Sequence, residues 1–508
     1  MIRIVFFVVT IKYLIFVLLT LCSESLISQN NFFKWYPSPG HEITNDIVQT
    51  LQGDYLLVGQ KGVTTDTVHS RILKINQIGA VVDEIVFPNP EGSSTLNTID
   101  RLPGSDHHFL LTGSRDSASQ NGYYSILQLM IVNDSMEILL SKEYTSTKDR
   151  QYRPWKVKFA GANIFYLLYQ FDTVSGSNTY DFGVGKFDLS LNKISTFHHA
   201  NQYPWYIGQD IVFRNADNTI QIYYIGQNMI GRYSALQIIS LSEDLNLISN
   251  YPGPDQLITN ISATRIDDST CYLFGTDKPT VTLQNQHLGC YLLMDSNEVL
   301  KSVDLLNNPD TILYAGRGGF NLTVNPTTLM ATMAGMYNFD PAGREWQSTP
   351  TWVQLIKTDF DLNLIDQKFY GGDAQYIPYS IKPTNDGGTI ITGNRFDFNT
   401  PGKPQYDVFV LKTDSAGTIL SLPKNQQTLI SEAILAPNPG GDYCFALLGP
   451  QYKSAILRMY DMSGVMLLYR EIQQQKSKIE LPGLAQGVYP YAFENNGKII
   501  GSGKWIRK

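Results

Sequence analysis

Four short segments follow one another in residues 379–414: Tyr379-Ser-Ile-Lys382, Asn385-Asp-Gly-Gly388, Thr389-Ile-Ile-Thr-Gly393 and Asp407-Val-Phe-Val-Leu-Lys-Thr-Asp414. Short apolar runs separated by Gly, Asn and Asp are typical of antiparallel strands joined by turns. The same order appears at the start of the chain, in Asp46-Ile-Val48, Gly53–Gly59 and Ser70–Asn76. From residue 30 to about residue 422 this unit returns roughly every 50 to 60 residues, and we count seven copies.

Each copy can form a four-stranded antiparallel sheet with two apolar faces, which needs a neighbouring sheet on each side. A closed ring supplies both neighbours and leaves few exposed strand edges. We therefore predict an all-β chain with a seven-bladed β-propeller. The segments Ser141–Tyr144 and Asp366–Gly371 end their units with lysine and aromatic residues, and Asn31–Tyr36 has the same character. We expect residues 31–37 to complete the seventh blade.

Composition and charge argue against two classes of protein. Apolar residues make up 43% of the 508 residues and charged residues 17%, which favours a β-rich extracellular protein over a helical cytosolic one and argues against disorder. The 39 basic and 46 acidic side chains give a net charge of −7 and form no basic stripe. Because phosphate backbones are bound by clustered Lys and Arg, we expect no nucleic-acid partner.

The first 28 residues read as a signal peptide that is removed on export. Arg3 supplies the basic start and Tyr13–Leu21 the apolar run. One alternative is a membrane anchor, in which Lys12 would lie at a costly central position. Another is lipid attachment at Cys22, where Leu21 replaces the small residue of such sites. We expect a secreted or cell-surface protein.

The composition changes at Leu435, where a module of about 75 residues begins. Its elements are Ala436-Pro-Asn-Pro-Gly440, a Tyr-Asp-x-x-Gly turn ending at Gly464, Leu484-Ala-Gln-Gly-Val-Tyr489 and the basic end Gly503–Lys508. In this order they resemble the type A C-terminal sorting domain of the type IX secretion system of Bacteroidota. The resemblance implies a small antiparallel β-sandwich of immunoglobulin-like type.

The resemblance also implies a route and a partner. The tail would be recognised by the type IX machinery at the outer membrane and then removed, leaving the protein released or attached at the surface. The residues that match the family motif are Pro437, Asn438, Pro439, Gly464, Gly487, Tyr489 and Lys504. The same residues can equally be turn and core residues of a sandwich, and Pro490 departs from the apolar strand usual there.

These observations divide the chain into four segments. We predict a signal peptide at residues 1–28, the propeller at 29–424, a linker at 425–434 and the sorting domain at 435–508.

Few residues suggest metal or redox chemistry. Cys271 and Cys290 lie in neighbouring strand-like runs, so a cross-strand disulfide and two buried free thiols are both open, the thiols being favoured. The histidine pairs 107–108 and 198–199 have no acidic partner at helical spacing and are interpreted as solvated turn residues. We predict no metal site and no cofactor.

No nucleophile elbow, phosphate loop, zinc-binding helix or dinucleotide fingerprint occurs in the sequence. Asp181, Asp210 and Asp407 could face one another across a channel, as a polysaccharide hydrolase would require. We predict no catalytic residue, and keep that hydrolase as the alternative to a binding protein.

Aromatic, Pro-rich or Arg-containing turns precede the innermost strand of several units. In a propeller these turns gather at one mouth of the central channel, where aromatic rings and Arg suit a carbohydrate or peptide ligand. The predicted binding residues are Trp155, Trp205, Tyr206, Arg317 and Tyr379. The alternative is that the rings only cap the inner ends of the blades.

Overall fold

The computed structural model describes residues 31–38, 40–62, 67–119, 122–145, 152–172, 180–199, 205–214, 217–227, 236–255, 257–267, 269–277, 287–295, 298–305, 313–325, 328–339, 349–398, 405–419, 433–436, 440–449 and 452–507. The predicted signal peptide and most of the predicted linker lie outside these residues. Within them, no helix combines the length and the apolar character needed to cross a membrane.

The described strands form seven propeller blades and a separate two-sheet module. Blades 1 and 2 contain β2 (Glu42–Gln49), β3 (Tyr55–Gly62), β4 (Val68–Ile75), β5 (Val81–Phe87), β6 (Ser94–Arg101), β7 (His108–Ser119), β8 (Gly122–Asn133) and β9 (Ile138–Tyr144). Blades 3 and 4 contain β10 (Tyr152–Ala160), β11 (Ile164–Asp172), β12 (Tyr180–Asp188), β13 (Lys193–His198), β14 (Trp205–Arg214), β15 (Thr219–Gln227), β16 (Gln237–Leu241) and β17 (Leu247–Pro252). A single parallel bridge joins these two blades into one eight-stranded sheet.

Blade 5 contains β18 (Leu257–Arg265), β19 (Thr270–Asp277), β20 (His287–Met294) and β21 (Val299–Asp304). Blade 6 contains β22 (Leu313–Ala315), β23 (Leu322–Asn325), β24 (Met330–Tyr337), β25 (Trp352–Asp359) and β26 (Leu364–Gly371). Blade 7 contains β27 (Gln375–Pro383), β28 (Thr389–Phe396), β29 (Tyr406–Thr413) and, from the start of the chain, β1 (Phe32–Tyr36). The seven-bladed prediction is confirmed.

The N-terminal strand closes the ring, as predicted. β1 pairs antiparallel with β29, with Phe33 opposite Leu411. Phe33 is fully buried, and its ring centroid lies 5.4 Å from that of Tyr376 and 6.0 Å from that of Phe409. The N-terminal strand is therefore held in blade 7 both by side-chain packing and by backbone hydrogen bonds to β29.

A cation reaches from each blade to the turn after the third strand of the next blade. Lys34 Nζ donates to the carbonyl oxygen of Ile78 at 2.8 Å, across the closing junction. The corresponding side chains at the other junctions of the described chain are Lys74, Lys142, Lys186, Arg214, Lys301 and Lys368. Charge-assisted hydrogen bonds of this kind fix neighbouring blades in register.

The lysine and aromatic residues noted in the sequence belong to these contacts. In the pairs Lys34/Tyr36, Lys142/Tyr144 and Lys368/Tyr370, the lysine and the tyrosine both donate to the same turn of the next blade. The Tyr36 hydroxyl donates to the carbonyl oxygen of Gly79 at 3.0 Å. A Lys-x-Tyr sequence in an outermost strand thus marks a junction between blades.

Changing Tyr36 to Phe is expected to lower the free energy of unfolding by about 1 kcal/mol, because one hydrogen bond is lost while the ring remains. Urea unfolding of the purified protein measures this. Tyr443→Phe is the control, since Tyr443 lies exposed on the C-terminal module. Equal midpoints for the two variants would contradict the proposed role of the Tyr36 hydroxyl.

Alkaline pH is expected to destabilise the propeller. Burial raises the pKa values of Tyr223, Tyr272 and Tyr376 well above the ordinary value of a tyrosine. The unfolded chain ionises its tyrosines near pH 10 while the folded chain keeps these three neutral. Their contribution to stability is complete below that pH and falls by about 1.4 kcal/mol per pH unit for each tyrosine above it.

Urea midpoints measured from pH 8 to pH 11 test this pH dependence. Tyr272→Phe should reduce the slope above pH 10, and the exposed Tyr443→Phe should leave it unchanged. A midpoint that stays constant up to pH 11 would contradict the buried positions of these hydroxyl groups.

The C-terminal module is the predicted small antiparallel sandwich. One sheet contains β30 (Ala433–Ala436), β31 (Tyr443–Leu448) and β34 (Lys476–Glu480). The other contains β32 (Ala455–Tyr460), β33 (Met466–Ile472), β35 (Gly487–Asn495) and β36 (Lys498–Arg507). Its core surrounds the buried Trp505 and Phe493.

Cys271 and Cys290 are buried free thiols, and no disulfide joins them. Cys271 lies opposite Leu293 and Cys290 opposite Phe274, so the two are not cross-strand neighbours. Burial raises the pKa of both thiols to about 12. They therefore behave as small apolar core residues, which is the reading that the sequence favoured.

Candidate binding site at the propeller axis

The innermost strands share an irregularity near their middle. A register shift leaves one or more residues unpaired with the second strand of the blade. The residues within these shifts include Asn45, Asn97, Trp155, Gln209, Asn260 and Tyr379. Since a β-bulge redirects the local backbone, these positions bring side chains and carbonyl groups together at the axis.

Blade 6 carries a larger irregularity. Its innermost strand is divided into β22 and β23, and the intervening residues 316–321, Gly-Arg-Gly-Gly-Phe-Asn, cross the propeller axis. We call this segment the plug. The amide of Gly319 donates to the carbonyl of Ile261 in blade 5, and the carbonyl of Phe320 accepts from the amide of Ile381 in blade 7. The plug is therefore held by the blades on both sides of its own.

Two glycines allow the plug to approach the backbone of blades 4 and 5. A Cβ at Gly318 would lie 2.6 Å from the side-chain oxygen of Gln209 and 3.1 Å from Cα of Asn260. Gly319 has a φ of +77°, and a Cβ there would lie 2.7 Å from the Gln209 carbonyl oxygen. A side chain at either position would force the plug away from the axis.

Arg317 extends the plug to the remaining blades. Its guanidinium donates to the carbonyl oxygens of Asn45 in blade 1 and Asn97 in blade 2, at 3.3 and 3.4 Å. Its Cζ lies 4.5 Å from the ring centroid of Trp155 in blade 3 and 4.4 Å from that of Phe320. Only 8% of Arg317 is exposed. A buried guanidinium held between two aromatic rings gains a cation–π interaction that partly offsets its lost hydration.

The electrostatics of Arg317 are those of a buried cation. Burial lowers its pKa to about 10, and the carboxylate of Asp46 acts in the opposite direction. Arg317 therefore stays charged at neutral pH. Burial likewise raises the pKa of Tyr379, against the effect of the neighbouring Arg317 charge.

Asp46 links three blades beside the plug. It is fully buried, and its carboxylate accepts from the amide of Ile99 in blade 2 at 3.1 Å and from the hydroxyl of Ser380 in blade 7 at 2.6 Å. Lys382 Nζ lies 3.7 Å from Asp46 and 3.0 Å from Asp100. Burial lowers the pKa of Lys382, but the two carboxylates outweigh it and raise that pKa above its ordinary value.

Asp210 and Lys156 form a second charged group at the axis. Asp210 accepts from the amide of Ala263 in blade 5, and Lys156 donates to the carbonyl of Gly319 in the plug. Burial raises the pKa of Asp210 and lowers the pKa of Lys156. The charge of Lys156 partly offsets the rise at Asp210, and the charge of Asp210 partly offsets the fall at Lys156. Lys156 thus links blade 3 to the plug, and Asp210 links blade 4 to blade 5.

The five predicted binding residues fall into two groups. Trp155, Arg317 and Tyr379 meet at the axis, where Trp155 and Tyr379 remain partly exposed. Tyr206 instead packs between blades 3 and 4, with its ring centroid 4.6 Å from that of His199 and 5.7 Å from that of Tyr224. Trp205 begins β14, and its side chain lies outside the described part of the chain.

The three acidic residues considered for hydrolysis are not brought together. Asp210 lies on an innermost strand, whereas Asp181 and Asp407 lie on the third strands β12 and β29. Asp181 binds His199, and Asp407 accepts from the amide of Ser38. These three carboxylates therefore do not face one another across a channel, as paired-carboxylate hydrolysis would require.

The histidine interpretation was wrong for His199. Its side chain is only 9% exposed, and its Nδ1 lies 3.0 Å from a carboxylate oxygen of the buried Asp181. His107 is half exposed, as expected, but its Nδ1 lies 2.8 Å from Asp134. Sheet register rather than sequence spacing creates both pairs. Among the described residues, no group of three or more His, Cys, Asp or Glu side chains could hold a metal ion.

Four of the predicted sorting residues are described, and Pro437, Asn438 and Pro439 lie outside the described residues. Gly464 has a φ of +87° in a turn that the Asp461 carboxylate caps by accepting from two amides. Gly487 begins β35, where Tyr489 is buried against Trp505 at a centroid distance of 6.2 Å. Lys504 lies in β36 opposite Pro490, so that strand continues through the proline.

Sequence reasoning missed several residues at the axis. Asp46, Lys156, Gln209 and Phe320 are essential to the geometry described above but lie in segments that read as ordinary strands or turns. Gly316-Arg-Gly-Gly319 was the available signal, because three glycines within four residues indicate a close backbone approach.

Comparison with known proteins found no matching family model and no matching curated protein. Among solved structures, a fungal alcohol oxidase of the AA5 family in complex with copper is 10% identical, with a TM-score of 0.43, and the match covers 94% of this chain and 100% of that one. The GH93 α-L-arabinofuranosidase of Fusarium graminearum is 8% identical, with a TM-score of 0.39 and coverage of 75% and 97%.

The acylaminoacyl peptidase of Pyrococcus horikoshii is 8% identical, with a TM-score of 0.44 and coverage of 80% of this chain. This chain spans 58% of the length of that peptidase. Identities and scores this low carry no argument about activity.

Proposed function

We propose that this chain is a non-enzymatic binding protein that is exported by a type IX secretion system and acts outside the cell. Its propeller would bind a carbohydrate or peptide at the mouth formed by Trp155 and Tyr379. Its C-terminal sandwich would be the sorting domain that directs export.

The plug is the observation that supports binding rather than chemistry. Arg317 is already bonded to two carbonyls and two rings, and Asp46, Lys156 and Asp210 are bonded to the blades or to the plug. These four side chains are thus engaged in contacts that hold the blades and the plug together. The partly exposed Trp155 and Tyr379 remain as the surface that a ligand could contact. Flat aromatic surfaces of this kind bind sugars and peptides without reacting with them.

The proposal of export is supported by the sequence resemblance and by the fold of the tail. The apolar segment at the start of the chain and the four tail elements occur in the order of an exported, tail-sorted protein. The tail forms a compact sandwich with its own core, as a domain read by a receptor requires.

A glycan and peptide array probed with residues 29–508 tests the binding proposal. We expect binding to a defined subset of ligands, with loss of that binding in Trp155→Ala and Tyr379→Ala. Leu364→Ala is the matched control, because Leu364 is half exposed on an outermost strand. Thermal unfolding of each variant shows whether the propeller is intact. No binding to either array would overturn the choice of ligand class.

Expression in a bacterium that has a type IX system tests the export proposal. The full chain should appear at the surface or in the medium, and a chain ending at Lys424 should remain in the periplasm. Equal export of the two chains would overturn the assignment of the tail.

A further inference from the structure

Two strands of the first sheet of the sandwich, β30 and β31, carry apolar residues on both faces. Side chains alternate between the two faces of a strand, so a sheet with one free face should alternate apolar and polar residues. The residues that enter the sandwich core are Ala433, Leu435, Cys444, Ala446 and Leu448. Their neighbours along β30 and β31 are Ile434, Phe445 and Leu447, which are also apolar. The second face therefore requires a covering surface.

Blade 6 provides that surface. Ile434 and Leu447 belong to the same buried cluster as Tyr337, Trp352 and Phe369 of the propeller, and Phe445 packs against its margin. Ile434 is 6% exposed and Leu447 7%. Tyr337 lies with its ring centroid 5.7 Å from that of Trp352 and 5.4 Å from that of Phe369, so the three rings form an aromatic platform.

Two polar interactions also connect the sandwich with the propeller. The Tyr337 hydroxyl donates to the side-chain oxygen of Gln475 in the sandwich at 3.4 Å. Burial raises the pKa of Tyr491 in the sandwich to about 12, and the charge of Asp373 in the propeller contributes to the shift. The sandwich is thus in contact with the propeller at blade 6.

We infer that the C-terminal sandwich is an intramolecular partner of the propeller, docked on the Tyr337–Trp352–Phe369 platform by Ile434, Phe445 and Leu447, and that it stays bound after the connecting chain is cut. The partner is this chain's own tail. Cleavage then does not by itself separate the two parts, and an undocking step must follow it.

This inference concerns the tail that the proposed function names as the sorting domain, but its geometry does not depend on export. If the tail is removed outside the cell, undocking exposes an aromatic surface on blade 6. Before undocking, the part of the outer face formed by Ile434 and Leu447 is covered, so a receptor cannot reach it.

A cleavable version of the full chain tests this docking. A protease recognition site is inserted between Gln426 and Gln427, the purified folded protein is cut, and size-exclusion chromatography shows whether the tail elutes with the propeller. We expect coelution. Leu447→Asp should release the tail, because a carboxylate cannot be buried against the platform without a partner. The expected loss in affinity is about a hundredfold, or about 2.7 kcal/mol.

Met466→Asp is the matched control, since Met466 is half exposed on β33 in the other sheet. It should leave the tail bound. Limited proteolysis verifies that the sandwich of each variant is folded, because its core residues are protected only in the folded sandwich. Separation of the unsubstituted tail after cutting would overturn the inference, and so would release by Met466→Asp equal to that by Leu447→Asp. No export is involved, so failure here leaves the export proposal standing, and failure of the export test leaves the docking standing.

Discussion

Replacing Arg317 by Ala is expected to lower the free energy of unfolding by about 3 to 5 kcal/mol. The substitution removes the cation between the rings of Trp155 and Phe320 and leaves the carbonyls of Asn45 and Asn97 without their donor. It also removes the contacts of the plug with blades 1 and 2 and one of its contacts with blade 3, where Lys156 still donates to Gly319. Urea unfolding of residues 29–508 measures the change.

Two further substitutions show which property of Arg317 stabilises the propeller. Arg317→Lys keeps the charge but not the planar group that stacks on the rings, so its effect should be intermediate. Arg470→Ala, on the exposed surface of the sandwich, should change stability by less than about 0.5 kcal/mol. If Arg317→Ala had as little effect as Arg470→Ala, the plug would not hold the blades together.

The second large effect is expected at the closing strand. Phe33→Ala should lower the free energy of unfolding by about 3 to 5 kcal/mol, because a fully buried ring is replaced by a cavity. The cavity lies beside Tyr376 and Phe409, where β1 joins blade 7. The variant should also make β1 and β29 accessible to proteases, since ring closure depends on this strand. Limited proteolysis followed by mass spectrometry identifies the cuts.

Leu51→Ala is the control for Phe33→Ala, because Leu51 is half exposed in a turn of the neighbouring blade 1. It should leave both stability and proteolysis unchanged. A Phe33→Ala protein that resists proteolysis as well as the unsubstituted protein would show that the ring stays closed without β1.

The strands and the ring closure could be predicted because their signals are local. Turn residues and period-two runs define each strand, and the repeated Lys-x-Tyr pattern connects Asn31–Tyr36 to the outermost strands. The structure adds the reason, since Lys34 and Tyr36 donate to the turn that contains Ile78 and Gly79.

The axis could be predicted only in part, because register and burial are set by tertiary contacts. Trp155, Arg317 and Tyr379 were selected by residue type and do meet, whereas Tyr206 was selected on the same basis and packs between blades. Nothing in the sequence near Asp46 indicates the bulge that turns its carboxylate toward blades 2 and 7.

The pairing of His199 with Asp181 was missed for a similar reason. The two residues are 18 positions apart and meet because the chain after β13 returns along β12. Apolar residues on both faces of β30 and β31 were visible in the sequence, but the surface that covers the second face is formed by residues about 65 to 110 positions earlier in the chain.

Hydrogen exchange shows whether residues 316–321 close the axis of the seven-bladed ring. The amide of Gly319 donates to Ile261, and the amide of Ile381 donates to Phe320. We expect both amides to exchange as slowly as that of Ile99, which donates to the buried Asp46. If Gly319 and Ile381 exchanged as fast as Gly104, which lies in an exposed turn, the plug would not close the axis.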